Sequence, residues 1–250
     1  APRPYLQRIR PGDWNDPLLR QILPVAAEDL AVDGFSVDPL AESSASQGHG
    51  ILQKYSGRAL LITTGTCAIN CRYCFRRHFP YESSPKSREE WDAAISQIEN
   101  DSVIQEIILS GGDPLTLIDH QFAALIQRLD AIDHLKRVRV HTRLPIVIPQ
   151  RVTDDLLALV RATRLTVVIV VHSNHARELD ANVADALKRL GTNNAMLLNQ
   201  SVLLRGVNDN AASLIELSER LIECGVIPYY LHKNDPVAGT SHFEVPVELG

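Results

Sequence analysis

From residue 59 onward, short apolar runs alternate with longer stretches in which apolar residues recur every three or four positions. The short runs are continuous rather than alternating, which is typical of strands covered on both faces of a parallel sheet. They predict six strands, over residues 59–64, 104–110, 137–142, 165–172, 195–204 and 226–232.

The stretches between the strands predict five amphipathic helices. Their apolar faces carry Trp91, Ile95 and Ile98; then Phe122, Leu125, Ile126 and Leu129; then Leu156 and Val160; then Leu179, Val183, Leu187 and Leu190; and last Leu214, Leu217 and Leu221. Residues 87–90 resemble a capping box ahead of the first helix, and Gly191 is placed to end the fourth. Strands that alternate with helices predict an α/β fold, and six units leave an open sheet and a partial barrel both possible.

Three regions follow from this pattern. Residues 1–58 lack the alternation and are predicted to form an N-terminal extension or cover, residues 59–235 form the α/β unit, and residues 236–250 begin a C-terminal segment. The chain opens without Met and contains a single Met196, which predicts that it is part of a longer polypeptide.

Composition narrows the class of protein. Of the 250 residues, 45% are apolar and 22% charged, which excludes disorder, and a net charge of −5 argues against a nucleic-acid partner. The longest apolar runs are strand-length, and no signal peptide is recognisable, so we expect a cytoplasmic protein without a membrane span.

The cysteines indicate a metal centre. Cys67, Cys71 and Cys74 lie within eight residues, whereas Cys224 is far away at the end of a helix. The spacing suits zinc poorly, and three thiolates on an iron–sulfur cubane would leave one iron open for a ligand. Buried apolar cysteines are the alternative. The neighbouring cations are expected to lower the thiol pKa values; they are Arg72, Arg76, Arg77 and His78.

Polar residues follow each predicted strand, at the edge where parallel α/β folds bind ligands. After the second strand come Gly111, Gly112 and Asp113, where paired glycines permit close backbone approach and the carboxylate suits an ammonium group. An ordinary tight turn is the alternative. The other strand ends carry His141 to Arg143, His172 to His175, Asn199 with Gln200, and Tyr229 to His232.

The segment from Cys67 to Cys74 resembles the cluster motif of radical S-adenosylmethionine (SAM) enzymes, and residues 111–114 resemble the motif that binds the SAM amine. The resemblance implies a partial (β/α)6 barrel of the TIM type with an N-terminal extension. It also implies that the three cysteines bind a [4Fe-4S] cluster. By the same resemblance SAM is contacted by Gly111, Gly112, Asp113, His172 and Gln200.

Further segments, over residues 16–21, 74–79, 144–150, 199–209 and 228–235, resemble lysine 2,3-aminomutases. Phe75 and residues 78–81 resemble in particular the bacterial branch that makes (R)-β-lysine for elongation factor P. This implies an isomerase that moves the α-amino group of L-lysine from C2 to C3. SAM cleavage would supply a 5′-deoxyadenosyl radical, pyridoxal 5′-phosphate (PLP) would carry the migrating nitrogen, and flavodoxin or ferredoxin would supply the electron.

The resemblance also implies substrate and PLP contacts. Arg76 would hold the substrate carboxylate, and Asp235 would meet the distal ammonium group unless it serves only a turn. Lys54, Tyr55 and Arg58 would lie near the PLP phosphate, with a solvated basic edge as the alternative. The family's PLP-binding lysine comes after the segment matching residues 228–235, and none is found before Gly250. We therefore expect a truncated chain that binds the cluster and SAM but not PLP covalently.

Two other functions remain open. A radical SAM aminomutase could act on glutamate or arginine, although Asp235 argues against glutamate because two carboxylates would face each other. A non-catalytic iron–sulfur or zinc protein would instead supply a fourth ligand from its own chain and would not cleave SAM.

Overall fold

Seven strands form one sheet whose spatial order follows the chain. The computed structural model describes residues 1–83 and 88–246. The strands are β1 (Ile51–Tyr55), β2 (Arg58–Thr64), β3 (Glu106–Gly111), β4 (Arg137–Thr142), β5 (Thr166–His172), β6 (Ala195–Leu203) and β7 (Ile227–Lys233). β1 is antiparallel to β2, and every later pair is parallel. Within the described residues β1 and β7 do not pair, so the predicted partial barrel is confirmed as an open, curved sheet.

Helices cover the outer face of this sheet. They are α1 (Arg3–Leu6), α2 (Pro17–Arg20), α3 (Arg88–Asn100), α4 (Asp119–Asp130), α5 (Leu144–Val147), α6 (Asp154–Ala162), α7 (Ala181–Thr192) and α8 (Ala211–Glu223). The five predicted helices correspond to α3, α4, α6, α7 and α8. Their apolar faces pack on the outward side chains of the strands in one continuous core, which also contains Cys224.

Two predicted helix ends need comment. The capping box proposed for residues 87–90 includes Ser87, which lies outside the described residues. The prediction that Gly191 ends the fourth helix is wrong, because α7 continues to Thr192. The chain turns one step later, where Asn194 adopts a left-handed φ of 72°, a conformation that Asn tolerates better than most residues.

The strand β1 was not predicted, and it lies inside the range assigned to the N-terminal extension. It is a short edge strand whose last residues are polar or exposed. The expectation of continuously buried apolar strands fits β5, whereas β4 alternates buried and half-buried residues and β7 is exposed throughout. A two-residue turn connects Tyr55 to Arg58, and those two residues are register partners.

The rest of the extension packs against the carboxyl edge of the sheet. Tyr5 and Leu18 are fully buried, and the Tyr5 hydroxyl donates to the Leu18 carbonyl oxygen at 3.2 Å. Asp16 caps α2 and also forms an ion pair with Arg177 at 2.8 Å. The extension is therefore joined to the loop after β5.

Strand register defines the inner face of the curved sheet, since side chains on adjacent strands at the same register point the same way. His141 is level with Val170 and Leu198, and His172 is level with Gln200. The inner face is thus apolar in its middle and polar towards the carboxyl edge. No helix in the described part of the chain is both long and apolar enough to span a bilayer.

Candidate active site

The cysteine loop leaves the carboxyl end of β2 and lies at the edge where the predicted ligand-type residues gather. Cys67 is exposed, Cys71 and Cys74 are half-buried, and all three are free thiols. The amide of Cys74 donates to the Cys71 carbonyl oxygen at 3.1 Å, which closes a turn. The amide of Arg72 donates to the Gln21 carbonyl oxygen at 2.8 Å and anchors the loop to the extension.

The loop's own cations Arg76 and Arg77 do lower the pKa of Cys74, as predicted, but burial outweighs them. Burial, reinforced by the charge of Cys71, raises the pKa of Cys67 to about 12 and that of Cys74 to about 11. The cations are engaged elsewhere: Arg72 and Arg77 both pair with Glu28. Burial alone would raise the pKa of Glu28, but those two arginines lower it to about 2.

The donor set fits a multi-iron cluster better than a single metal ion. The three thiols perturb one another electrostatically, so they lie close together. Nevertheless, among residues 1–83 and 88–246 no three Cys, His, Asp or Glu side chains converge closely enough for one ion. In a cubane each thiolate binds a different iron, so the ligands can stand farther apart. Iron would also supply the positive charge that keeps these thiols deprotonated.

The paired glycines after β3 bring its backbone against the start of the cysteine loop. A Cβ on Gly112 would lie 2.2 Å from the Thr66 carbonyl oxygen, and Gly111 has a φ of +121° that other residues rarely adopt. Two hydrogen bonds join the segments, from Gly112 N to Thr64 O at 2.7 Å and from Asp113 N to Thr66 O at 2.8 Å. The glycines therefore seat the loop on the sheet.

The carboxylate of Asp113 is surrounded by hydrogen-bond donors of the protein itself. One oxygen accepts from Leu115 N at 3.0 Å and from the Thr142 hydroxyl at 2.6 Å. The other accepts from the backbone nitrogens of Arg143 at 2.7 Å and Leu144 at 3.0 Å. Four protein donors surround the carboxylate and fix the turn between β4 and α5, and its contact with a SAM ammonium group stays a prediction.

Histidines line the inner face beside this edge. Gln200 Nε2 lies 2.8 Å from His172 Nε2, and the ring centroids of His141 and His172 are 5.9 Å apart. Burial lowers the pKa of His172 well below its usual value and that of His141 to about 3. Both rings are therefore neutral. His141 Nε2 is buried without a hydrogen-bond partner within the described part of the chain.

Arg76 is buried at the same edge, but its guanidinium is already paired. Its Nε and Nη2 donate to the two carboxylate oxygens of Glu42 at 2.8 and 2.6 Å, and its Nη1 donates to the Ser110 hydroxyl at 2.7 Å. Phe75 and Phe79 flank the guanidinium, with ring centroids 4.9 and 5.9 Å away. A substrate carboxylate would have to replace Glu42 to occupy this two-pronged position.

Asp235 follows β7 and is half-buried. Burial raises its pKa, Glu42 raises it further, and His232 and Lys54 oppose that change. Asp235 is thus placed in the same electrostatic neighbourhood as the Glu42–Arg76 pair.

The residues expected near PLP lie around the amino end of β2, although Lys54 is close enough to Asp235 to lower its pKa. Lys54, Tyr55 and Arg58 surround the β1–β2 turn, and the Arg58 guanidinium stacks 5.9 Å from the Tyr55 ring centroid. Arg58 begins β2 and Thr64 ends it, which places the turn about 20 Å along the strand from the cysteine loop. The structure does not bring these residues together with the cysteines.

Sequence reasoning missed several residues of this site. Arg143 donates from Nη1 to Cys71 Sγ at 2.8 Å and forms a buried ion pair with Glu178, also at 2.8 Å. Arg143 is one of the polar residues at the predicted strand ends, but the sequence assigns it no role in the site. Glu178 and Glu42 lie in loops whose sequence carries no motif, so no signal could have found them.

Three comparisons with known proteins bear on the family and the fold. The family model described as the radical SAM superfamily matches residues 61–217. The L-lysine 2,3-aminomutase of Haemophilus influenzae is 49% identical, over 97% of this chain and 72% of that protein. The Escherichia coli protein of the same name is 47% identical, over 98% and 71%. A radical SAM methyltransferase structure from Sphaerobacter thermophilus has a TM-score of 0.51 at 18% identity, over 80% of this chain and 62% of that one, and supports the fold alone.

Proposed function

Because this chain belongs to the L-lysine 2,3-aminomutase family of the radical SAM superfamily, we propose that it is an isomerase that moves the α-amino group of L-lysine from C2 to C3. Membership of the superfamily implies a [4Fe-4S] cluster and SAM. The observation that carries the proposal is the loop of three free cysteines at the carboxyl edge of the sheet, with a buried arginine beside it.

In this proposal Cys67, Cys71 and Cys74 hold three irons of the cluster. The fourth iron would be left for SAM, which supplies a carbon-centred radical when the cluster is reduced. The backbone at Gly111 and Gly112 and the neutral side chains of His172 and Gln200 would border SAM. Neutral imidazoles suit this position because SAM is itself a cation and a protonated histidine would repel it.

Arg76 would orient the substrate by its carboxylate, and Asp235 would bind the distal ammonium group. Support for both roles comes from burial, because charge pairs are stronger where water is excluded. Asp235 also favours lysine over glutamate, since a second carboxylate would be repelled. The nitrogen-carrying chemistry belongs to PLP, and Lys54, Tyr55 and Arg58 are proposed to lie near its phosphate.

Two finer parts of the proposal rest on the resemblance of Phe75 and residues 78–81 to one bacterial branch: the (R) configuration of the β-lysine product and its use in modifying elongation factor P. A reducible, oxygen-sensitive cluster supports the other two, flavodoxin or ferredoxin as electron donor and a cytoplasmic location.

The test is an anaerobic assay of the full-length gene product with reconstituted iron and sulfide, dithionite, SAM, PLP and L-lysine. Chiral chromatography with mass detection should find (R)-β-lysine together with 5′-deoxyadenosine. Cys71→Ala should abolish both products, whereas Cys224→Ala, which removes a thiol buried behind α8, should retain them. A reconstituted enzyme that cleaves SAM but leaves L-lysine unchanged, or that rearranges glutamate faster, would overturn the substrate assignment.

A further inference from the structure

We propose that Arg143 raises the reduction potential of the cluster, with Asp113 fixing the arginine in position and Glu178 moderating its charge. The inference rests on the proposed function, in which Cys71 is a cluster ligand. It assigns the Asp113 carboxylate a role on the cluster side of the site instead of a contact with SAM.

The contact itself is the first step. Arg143 Nη1 donates to Cys71 Sγ at 2.8 Å, and the guanidinium is buried. The cations within the cysteine loop are committed to carboxylates, Arg72 and Arg77 to Glu28 and Arg76 to Glu42. Arg143 is therefore the cation with a direct hydrogen bond to a thiol among the residues that the structure describes.

The placement of Arg143 is fixed from two sides. Asp113 accepts its backbone N–H at 2.7 Å, which sets the turn that launches the side chain towards the cysteine loop. Further out, Nη2 donates to Gln21 Oε1 at 2.6 Å, and the rings of Tyr5 and Tyr73 lie 5.5 and 5.7 Å from the guanidinium carbon. Such a restrained group can act as a fixed charge.

The counter-ion is equally well placed. Glu178 is fully buried, and its Oε2 accepts from Arg143 Nη2 at 2.8 Å. Its Oε1 accepts from the backbone nitrogens of Asn174 and His175 at 2.9 and 3.1 Å and from Gln21 Nε2 at 3.1 Å. Glu178 thus reduces the positive field of Arg143 at the cluster without touching a cysteine.

These charges act on the one-electron step in which a low-potential donor such as dithionite converts [4Fe-4S]²⁺ to [4Fe-4S]⁺. The electron makes the cluster more negative, so a nearby cation and a hydrogen bond to a ligand sulfur favour the reduced state. Removing Arg143 should lower the reduction potential. Neutralising Glu178 should raise it. A purely structural role has no reason to produce opposite signs.

The experiment is an anaerobic redox titration followed by electron paramagnetic resonance, on the reconstituted wild-type protein and its variants. Arg143→Met should retain about four irons per chain. At the same applied potential its ratio of reduced to oxidised cluster should be at least tenfold lower than in the wild type, which corresponds to a reduction potential lower by about 59 mV for a one-electron couple. Arg143→Lys, which keeps the charge but loses the planar guanidinium group, should have a reduction potential between those of Arg143→Met and the wild type. Glu178→Gln should raise the ratio severalfold.

Arg151→Gln is the matched control. Arg151 donates to the Leu115 carbonyl oxygen at 2.8 Å and pairs with Asp119, so the variant removes a half-buried arginine whose described contacts include no cysteine. Its potential should equal that of the wild type. An unchanged potential in Arg143→Met with a full cluster would overturn the inference. If that variant fails to assemble its cluster, the change of reduction potential in Glu178→Gln decides. A reduction potential that does not rise in Glu178→Gln would refute the role of the Arg143–Glu178 pair.

Failure of the proposed function would look different. In that case the wild-type protein would bind no iron–sulfur cluster, or its electron paramagnetic resonance spectrum would not change when SAM is added.

Discussion

The ion pair between Arg76 and Glu42 leads to a prediction about substrate binding that could not be made from the sequence. The guanidinium proposed to hold the substrate carboxylate is occupied by a carboxylate of the same chain, through two hydrogen bonds of 2.6 and 2.8 Å. If both carboxylates seek the same fork, Glu42 competes with the substrate. The change Glu42→Gln keeps the size of the side chain and removes its charge, so it should strengthen substrate binding.

The magnitude follows from the strength of the pair. A hydrogen bond to a charged group contributes about 1.5–3 kcal/mol. An amide can replace only one of the two oxygens as acceptor, and Arg76 is almost fully buried. The internal pair should therefore weaken by about 1.4 kcal/mol or more, which corresponds to roughly tenfold tighter substrate binding. The unliganded protein should lose stability by a similar amount.

The assay is equilibrium dialysis of labelled L-lysine against the protein in the presence of SAM and PLP. The dissociation constant should fall about tenfold in Glu42→Gln. The matched ligand is 1,5-diaminopentane, which lacks the carboxylate. The dissociation constant of 1,5-diaminopentane should not change, because this ligand has no carboxylate that could bind Arg76.

One result would refute this reasoning. If Glu42→Gln lowers the melting temperature but leaves the L-lysine dissociation constant unchanged or raises it, Glu42 is a fixed partner of Arg76. The substrate carboxylate would then bind elsewhere, and the role proposed for Arg76 would be withdrawn.

Three further predictions use the same site. Asp235→Asn should weaken L-lysine binding about ten- to a hundredfold through loss of a charge pair, while norleucine, which lacks the distal ammonium group, binds unchanged in the same dialysis. Gly112→Ala should lower the melting temperature and the bound iron, because its Cβ would lie 2.2 Å from the Thr66 oxygen; Gly191→Ala, with its nearest contact at 3.6 Å inside a helix, should do neither. Glu28 has its pKa lowered from 4.5 to about 2, so its stabilisation is complete above pH 4.5 and lost as the pH falls towards 2. Melting curves against pH should show that Glu28→Gln removes this part of the acid sensitivity, and an unaltered acid slope would contradict the assignment.

The fold could be predicted from sequence wherever burial imposes a pattern. The six predicted strands correspond to β2 to β7, and the predicted range for β4 is identical to the observed Arg137–Thr142. Their apolar runs are not all continuous, because β4 alternates buried and half-buried residues and every residue of β7 is exposed. The pattern fails for β1. β1 is a five-residue edge strand with a polar end, and its pairing with β2 depends on a neighbour rather than on its own composition.

In the candidate site, too, the local features could be predicted from the sequence and the long-range contacts could not. Cysteine spacing and paired glycines are local features, and the structure supplies a backbone reason for the glycines. Charge partners are not local. Glu178 and Arg143 are 35 residues apart, and Glu42 and Arg76 are 34 apart, so neither ion pair leaves a pattern in the sequence.

Asp113 shows why a matching motif does not settle the role of its side chain. The sequence contains a carboxylate next to two glycines, and an ammonium group is an obvious ligand for it. The fold places three backbone N–H groups and a hydroxyl around that carboxylate before any ligand arrives. A buried carboxylate satisfied by four donors gains little by turning to a fifth, and leaving those donors unpaired would cost about 1–3 kcal/mol each. The motif therefore specifies a turn geometry, and the chemistry that depends on it passes through Arg143 to the cysteines.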